Sequence, residues 1–300
     1  MSIMRLLAIH AHPDDESSKG AATTAKYADE GHEVTVLTCT GGERGDILNP
    51  AMDKPGVLEN IAQLRRAEMA EAAKALGVNH RWLGYRDSGL PGGDPRNPNI
   101  NDLLPEDAFA LHADDAIAQR FVEVIRELRP HVVVTYDENG GYPHPDHLMV
   151  HRASMIAWNV AGHADYHPEL GAPWEPLKLY YSHGFVFRRM KIFHDLLVGQ
   201  GKPSPYAPMI SRWDPEKGDI MERVTTQVEC AEYFPHRERA LIAHATQIDP
   251  AGAFLATPAE IQKRYWPTEE FELARSRVET SLPEDDLFAG IAQVTQEEET

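Results

Sequence analysis

At 300 residues with 42% apolar side chains, the chain is long enough for one large core with a smaller addition. Its 47 acids outnumber 29 lysines and arginines, and the formal net charge of −18 excludes a broad basic surface for nucleic acid. Neither a membrane-length apolar run nor a signal-peptide pattern occurs, and the two distant cysteines, Cys39 and Cys230, make no disulfide framework, so a cytoplasmic protein is expected.

The first apolar run, "RLLAIHA" at 5–11, reads as a strand. "KGAATTAKYADEG" follows as a helix closed by Gly31 at its C′ position, and the β-branched "EVTVLTCT" as a second strand. "LENIAQLRRAEMAEAAKALG" has apolar residues at helical spacing and Gly77 behind it, and "HRWLGY" reads as a strand. Next, "DDAIAQRFVEVIRELRP" is a helix with Asp114 as candidate N-cap, and "HVVVTYD" a buried strand. "PDHLMVHRASMIAWNVAG" starts a helix with Pro145 at N1. The second half is less regular: "LKLYYSHGF" reads as a strand, and "TQVECAEYFPHRERALIAHATQ" as mostly helical despite Pro235. Residues 86–105 and 199–218 are Pro- and Gly-rich loops, and the acidic end "TQEEET" reads as a solvated, frayed tail.

Strands alternating with helices imply an α/β, Rossmann-like layered fold with a mostly parallel sheet. Residues 1–185 are expected to form its catalytic core, with 186–300 folded back on it and helping to form the substrate pocket. Ligands of such sheets gather beyond the carboxyl ends of the strands. Both "HPDDE", after the first strand, and "NGGYPHPDH", after "HVVVTYD", fall at that edge.

Crowding Asp14, Asp15 and Glu16 at a strand end is costly unless a positive charge neutralises them. His12, Asp15 and His147 offer two imidazoles and a carboxylate, the donor set of a catalytic zinc site with an open position for water. Asp14, adjacent to Asp15 but pointing elsewhere, would serve as general base. His144, one turn from His147, would donate a proton to a leaving amine or stabilise an oxyanion, with Asp146 orienting an imidazole. His151 reads as a packing or capping residue, and His163, His167, His194 and His236 as structural or surface residues. "TGGERGD" is neither a dinucleotide nor a P-loop fingerprint; it lets backbone approach a ligand, with Glu43 or Arg44 facing it.

"AHPDDE" followed by "HPDH" resembles the LmbE-like, or PIG-L, metal-dependent deacetylases. "AHPDDESSKGAATTAKYADEGH", "TGGERGDILNPAMD", "YDENGGYPHPDH", "HATQIDP" and "WPTEEFELARS" narrow the resemblance to the branch that cleaves mycothiol S-conjugates. The resemblance implies one Zn²⁺ per chain, with Fe²⁺ as the alternative, on His12, Asp15 and His147. It also implies Asp14 as base, and His144 as acid or oxyanion partner oriented by Asp146. Tyr142 would polarise the scissile carbonyl, and Arg65 and Asp87 would hold sugar and inositol hydroxyls. The reaction implied is hydrolysis of the amide between N-acetylcysteine and glucosaminyl-inositol, giving a mercapturic acid. Lys19, uncharged in the related N-acetylglucosaminyl-inositol deacetylases, fits a helix start poorly and is expected to contact the cysteinyl part.

The alternatives are that deacetylase activity, a non-haem iron oxygenase using the same two-His, one-carboxylate set, and a non-catalytic sugar-binding protein. The oxygenase sits poorly with the β-α alternation, and a binding protein has no use for Asp14. The expected partner is a small thiol conjugate, not nucleic acid or membrane; a homo-oligomer remains open.

Overall fold

The computed structural model describes residues 3–214, 216 and 218–291. The acidic end 295–300 lies outside them. The elements are β1 (Arg5–His10), α1 (Asp15–Ser18), α2 (Ala21–Asp29), β2 (Glu33–Thr40), α3 (Ile61–Leu76), β3 (Asn79–Tyr85), α4 (Asp114–Leu128), β4 (Val132–Thr135), α5 (Pro145–Val160), β5 (Lys178–His183), α6 (Phe187–Gly199), α7 (Ala207–Ser211), β6 (Thr226–Glu229), α8 (Phe234–Ala243), α9 (Ala259–Tyr265) and β7 (Thr268–Ser276).

One seven-stranded sheet runs in the order β3-β2-β1-β4-β5-β7-β6. The first five strands are parallel, and β7 and β6 join antiparallel. Side chains of a strand alternate between faces, so β1 feeds two cores at once. Leu7 and Ile9 pack with Phe121, Met149 and Val150 from α4 and α5. Leu6 and Ala8 pack with Ala25, Met69 and Ala240 from α2, α3 and α8 on the opposite face. This is the expected α/β layering, with both faces of a parallel sheet covered.

Several local expectations change. Asp114 sits inside the first turn of α4, with Ala113 at the N-cap; its carboxylate favours the helix dipole and accepts from Arg152 at 2.8 Å. The segment 226–247 opens as strand β6, not helix, because alternate residues Thr226 and Val228 are buried while Gln227 and Glu229 face out. Pro235 then falls in the first turn of α8, where its missing N–H leaves no hydrogen bond broken. "WPTEEFELARS" contains β7, a strand its many charges disguised. Gly31 and Gly77 do take the left-handed conformation that closes their helices. Among the described residues, no helix is long and apolar enough to cross a membrane.

An ion pair ties the C-terminal residues to the sheet. Lys178, on β5, meets Glu284 out of contact with solvent, and the same carboxylate accepts the Tyr180 hydroxyl at 2.7 Å. Lys178→Met strands that carboxylate and should cost about 3–5 kcal/mol of stability, read as a lower urea midpoint. Pairing it with Glu284→Leu should recover most of the loss.

Candidate metal centre

The order of the parallel strands reverses between β1 and β4, and the crevice outside their carboxyl ends is the preferred ligand position of such a sheet. His12 follows β1, Asp15 opens α1, and His147 lies in the first turn of α5. His12 Nδ1 is 3.5 Å from Asp15 Oδ2 and 3.3 Å from His147 Nε2, and the last two atoms are 3.3 Å apart. A tetrahedral ion with bonds of ~2.05 Å spaces its donor atoms about 3.3 Å apart, so this triangle has the edge lengths of a zinc site.

The outer hydrogen bonds decide what the triangle presents. His147 Nδ1 donates to Gly140 O at 2.8 Å, leaving an Nε2 lone pair inward. Gly140 has φ +70°, and a Cβ there would lie 2.8 Å from His147 Cβ, so only glycine fits. His12 Nε2 faces the carboxylates of Asp146 at 3.1 Å and Asp87 at 3.4 Å, which turns Nδ1 inward toward the triangle. Asp15 Oδ2 already accepts the Tyr136 hydroxyl at 2.8 Å and the His12 N–H at 3.0 Å. Burial opposes charge on His12, yet its hydrogen bonds to Asp146, Asp15 and Asp87 hold its pKa well above the ordinary value. The pocket thus stabilises positive charge at this point, the charge a divalent ion would supply.

Asp14 is partly buried beside the triangle, with φ 117°, ψ −24°, a strained backbone for a residue with a side chain. Its N–H donates to Glu16 Oε2 at 2.9 Å, and Glu16 is held in turn by His244 Nε2 at 2.7 Å. Burial and the neighbouring Asp15 charge push the Asp14 carboxyl up to about 7; a cation on Asp15 would draw it down. His144 caps α5, its Nδ1 accepting the Asp146 N–H at 3.2 Å, which leaves Nε2 as the donor. Burial, with His12 and His147 nearby, lowers its pKa to about 2, so the ring is neutral.

A cavity of about 470 Å³ opens beside this centre, lined among others by Asp14, Arg44, Arg65, Asp87, Tyr142 and His144. Tyr142 is 37% exposed at its rim. Arg65 is fully buried, and its guanidinium grips the carbonyls of Gly42, Gly45 and Asp46. Asp87 accepts the N–H groups of Arg44 and Gly89 at 3.0 and 2.9 Å.

Three expected placements differ. The Asp146 side chain does not reach His144; it holds His12 and accepts from Ser88, and only its backbone N–H holds His144, because an N-cap side chain folds over the helix end. Lys19 is buried with Nζ 2.6 Å from Asp15 Oδ1 and is absent from the residues lining the cavity. It stands between α1 and Gly20, the N-cap of α2, and its ion pair with Asp15 accounts for a cation at that helix start. Glu43 turns toward the Asp87 N–H, whereas Arg44 lines the cavity. His151 accepts its expected packing role, bonded to Tyr136 O at 3.1 Å. Tyr136, Ser88 and His244 were not anticipated, although Tyr136 directly follows β4, a strand aimed at the site.

Asp146→Asn should weaken zinc binding roughly 10- to 100-fold, since the amide loses one of the carboxylate oxygens shared by His12 and Ser88. Competition with a fluorescent chelator measures it.

A family model described as PIG-L, GlcNAc-PI de-N-acetylase, matches residues 7–158. The chain is 55% identical over 292 residues to a mycothiol S-conjugate amidase of Streptomyces coelicolor, covering 96% of this chain and 97% of that protein. It is 38% identical over 304 residues to a 1D-myo-inositol 2-acetamido-2-deoxy-α-D-glucopyranoside deacetylase of Streptomyces scabiei, covering 98% and 92%. Among solved structures, a conserved protein of Thermus thermophilus superposes with a TM-score of 0.58 at 20% identity, over 93% of this chain and 98% of that one, and shares the fold.

Proposed function

The chain belongs to the PIG-L family, and from that premise we propose that it is a zinc-dependent amidase hydrolysing the amide between N-acetylcysteine and glucosaminyl-inositol in mycothiol S-conjugates. The products are a mercapturic acid and glucosaminyl-inositol. The 55% identity over nearly all of both chains carries the substrate assignment, against 38% to the deacetylase.

His12, Asp15 and His147 hold the ion in this reading. When bound there, it would supply Lewis acidity for activating water and polarising the scissile carbonyl. Asp14, adjacent to the ligands yet outside their triangle, takes the proton from the attacking water. His144, neutral and with Nε2 as its donor, hydrogen-bonds the carbonyl oxygen as negative charge develops there; this favours the oxyanion role over the acid role. Tyr142 assists from the rim. Arg44 and Asp87 face the sugar hydroxyls, while Arg65 keeps the Gly42–Asp46 loop in shape beneath them. Lys19 neutralises and fixes Asp15.

The test is to give the purified protein, separately, a mycothiol bimane conjugate and N-acetylglucosaminyl-inositol. A higher kcat/KM on the conjugate supports the amidase. Preference for the acetylated amino sugar would reassign the chain to deacetylation.

A further inference from the structure

A second cavity, of about 260 Å³, lies on the other flank of the metal centre. Phe185, Met190, Phe193, Tyr206, Met209 and Phe254 give it an aromatic, thioether-rich wall. Phe193 and Tyr206 are buried, while Phe185 and Phe254 are 42% and 43% exposed and form its mouth. The polar groups that border it are partnered: Arg189 lies 3.2 Å from Glu270, Arg237 lies 3.8 Å from Glu269 and donates to Gln262 at 2.6 Å, and His183 sits 3.0 Å from Glu272. Such a concave apolar space with satisfied polar edges suits an organic group rather than an ion or a sugar.

Its position relates it to the reaction. The polar cavity hangs from the loops after β2 and β3, and this one from the carboxyl end of β5 and the amino end of β7. Between them stands α1, whose first residue is the ligand Asp15 and whose Ser17 and Ser18 line the apolar wall. Lys19 spans the partition, with Nζ 2.6 Å from Asp15 Oδ1 and 5.9 Å from the Phe185 ring centre. Gly184 permits this approach, since a Cβ there would lie 2.9 Å from Lys19 Cγ.

An amide held at the centre has two unlike halves. Its nitrogen side is a hydroxyl-rich sugar conjugate; its acyl side carries the group attached to the cysteine sulfur. We propose that the apolar cavity receives this S-linked group, an inference that rests on the amidase reading. Polar and apolar compartments then match the two halves, and a bare acetyl substrate leaves the second one unused.

Filling the cavity tests it. Met190→Trp and Met209→Trp, made separately and checked for unchanged melting, should each lower kcat/KM on the bimane conjugate on the order of tenfold. Hydrolysis of an S-methyl conjugate should stay near the wild-type value. Equal losses on both substrates, or none on either, would overturn the inference while leaving the amidase intact. A wild-type protein that cleaves neither conjugate would instead sink the amidase reading and the inference with it.

Discussion

Asp14→Asn is expected to lower kcat by roughly 10²- to 10⁴-fold while the ion remains bound and KM changes little. The two side chains are nearly isosteric, and Asn tolerates positive φ as Asp does, so the strained backbone at φ 117° is not further burdened. What is lost is a proton acceptor, and that loss falls on the transition state alone. Metal content by mass spectrometry and steady-state kinetics separate the outcomes. Equal loss of metal and turnover would make Asp14 a ligand.

His147→Ala should have the other large effect, abolishing metal retention and activity together. The ring is fully buried and stacks on Tyr136, with centroids 4.2 Å apart and planes 10° from parallel. Without it, one edge atom of the triangle is gone, and His12 and Asp15 are left as an incomplete donor set. Chelated wild-type protein should regain activity on adding zinc, and an excess of about a hundredfold over Kd should stabilise it by ~2.7 kcal/mol, several degrees in Tm. The variant should gain neither. An undiminished zinc-dependent rise in its Tm would remove His147 from the ligand set.

Much of this site was legible in the residues. "HPDDE" and "HPDH" stood at strand ends that a parallel sheet must bring to one edge, and the alternation of strands and helices supplied the sheet. Harder to read was which atom of a motif residue does the holding. Asp146 acts on His144 through its backbone and on His12 through its side chain, a division set by the N-cap geometry of α5. Lys19 was read as a substrate contact because sequence spacing does not tell whether a side chain curls back onto a residue four positions earlier. In β7, Glu269 and Glu270 are buried, against the polarity of the segment, because Arg189 and Arg237 reach them from α6 and α8. The four residues of β6 were too short to show an alternation beside a helix.

The clamp of His244 on Glu16, and through it on the Asp14 peptide, joins residues 228 positions apart. A nascent chain that has left the ribosome only as far as β5 carries His12, Asp15 and His147 but not this brace. The Asp14 peptide therefore gains its brace only late in synthesis, when α8 docks.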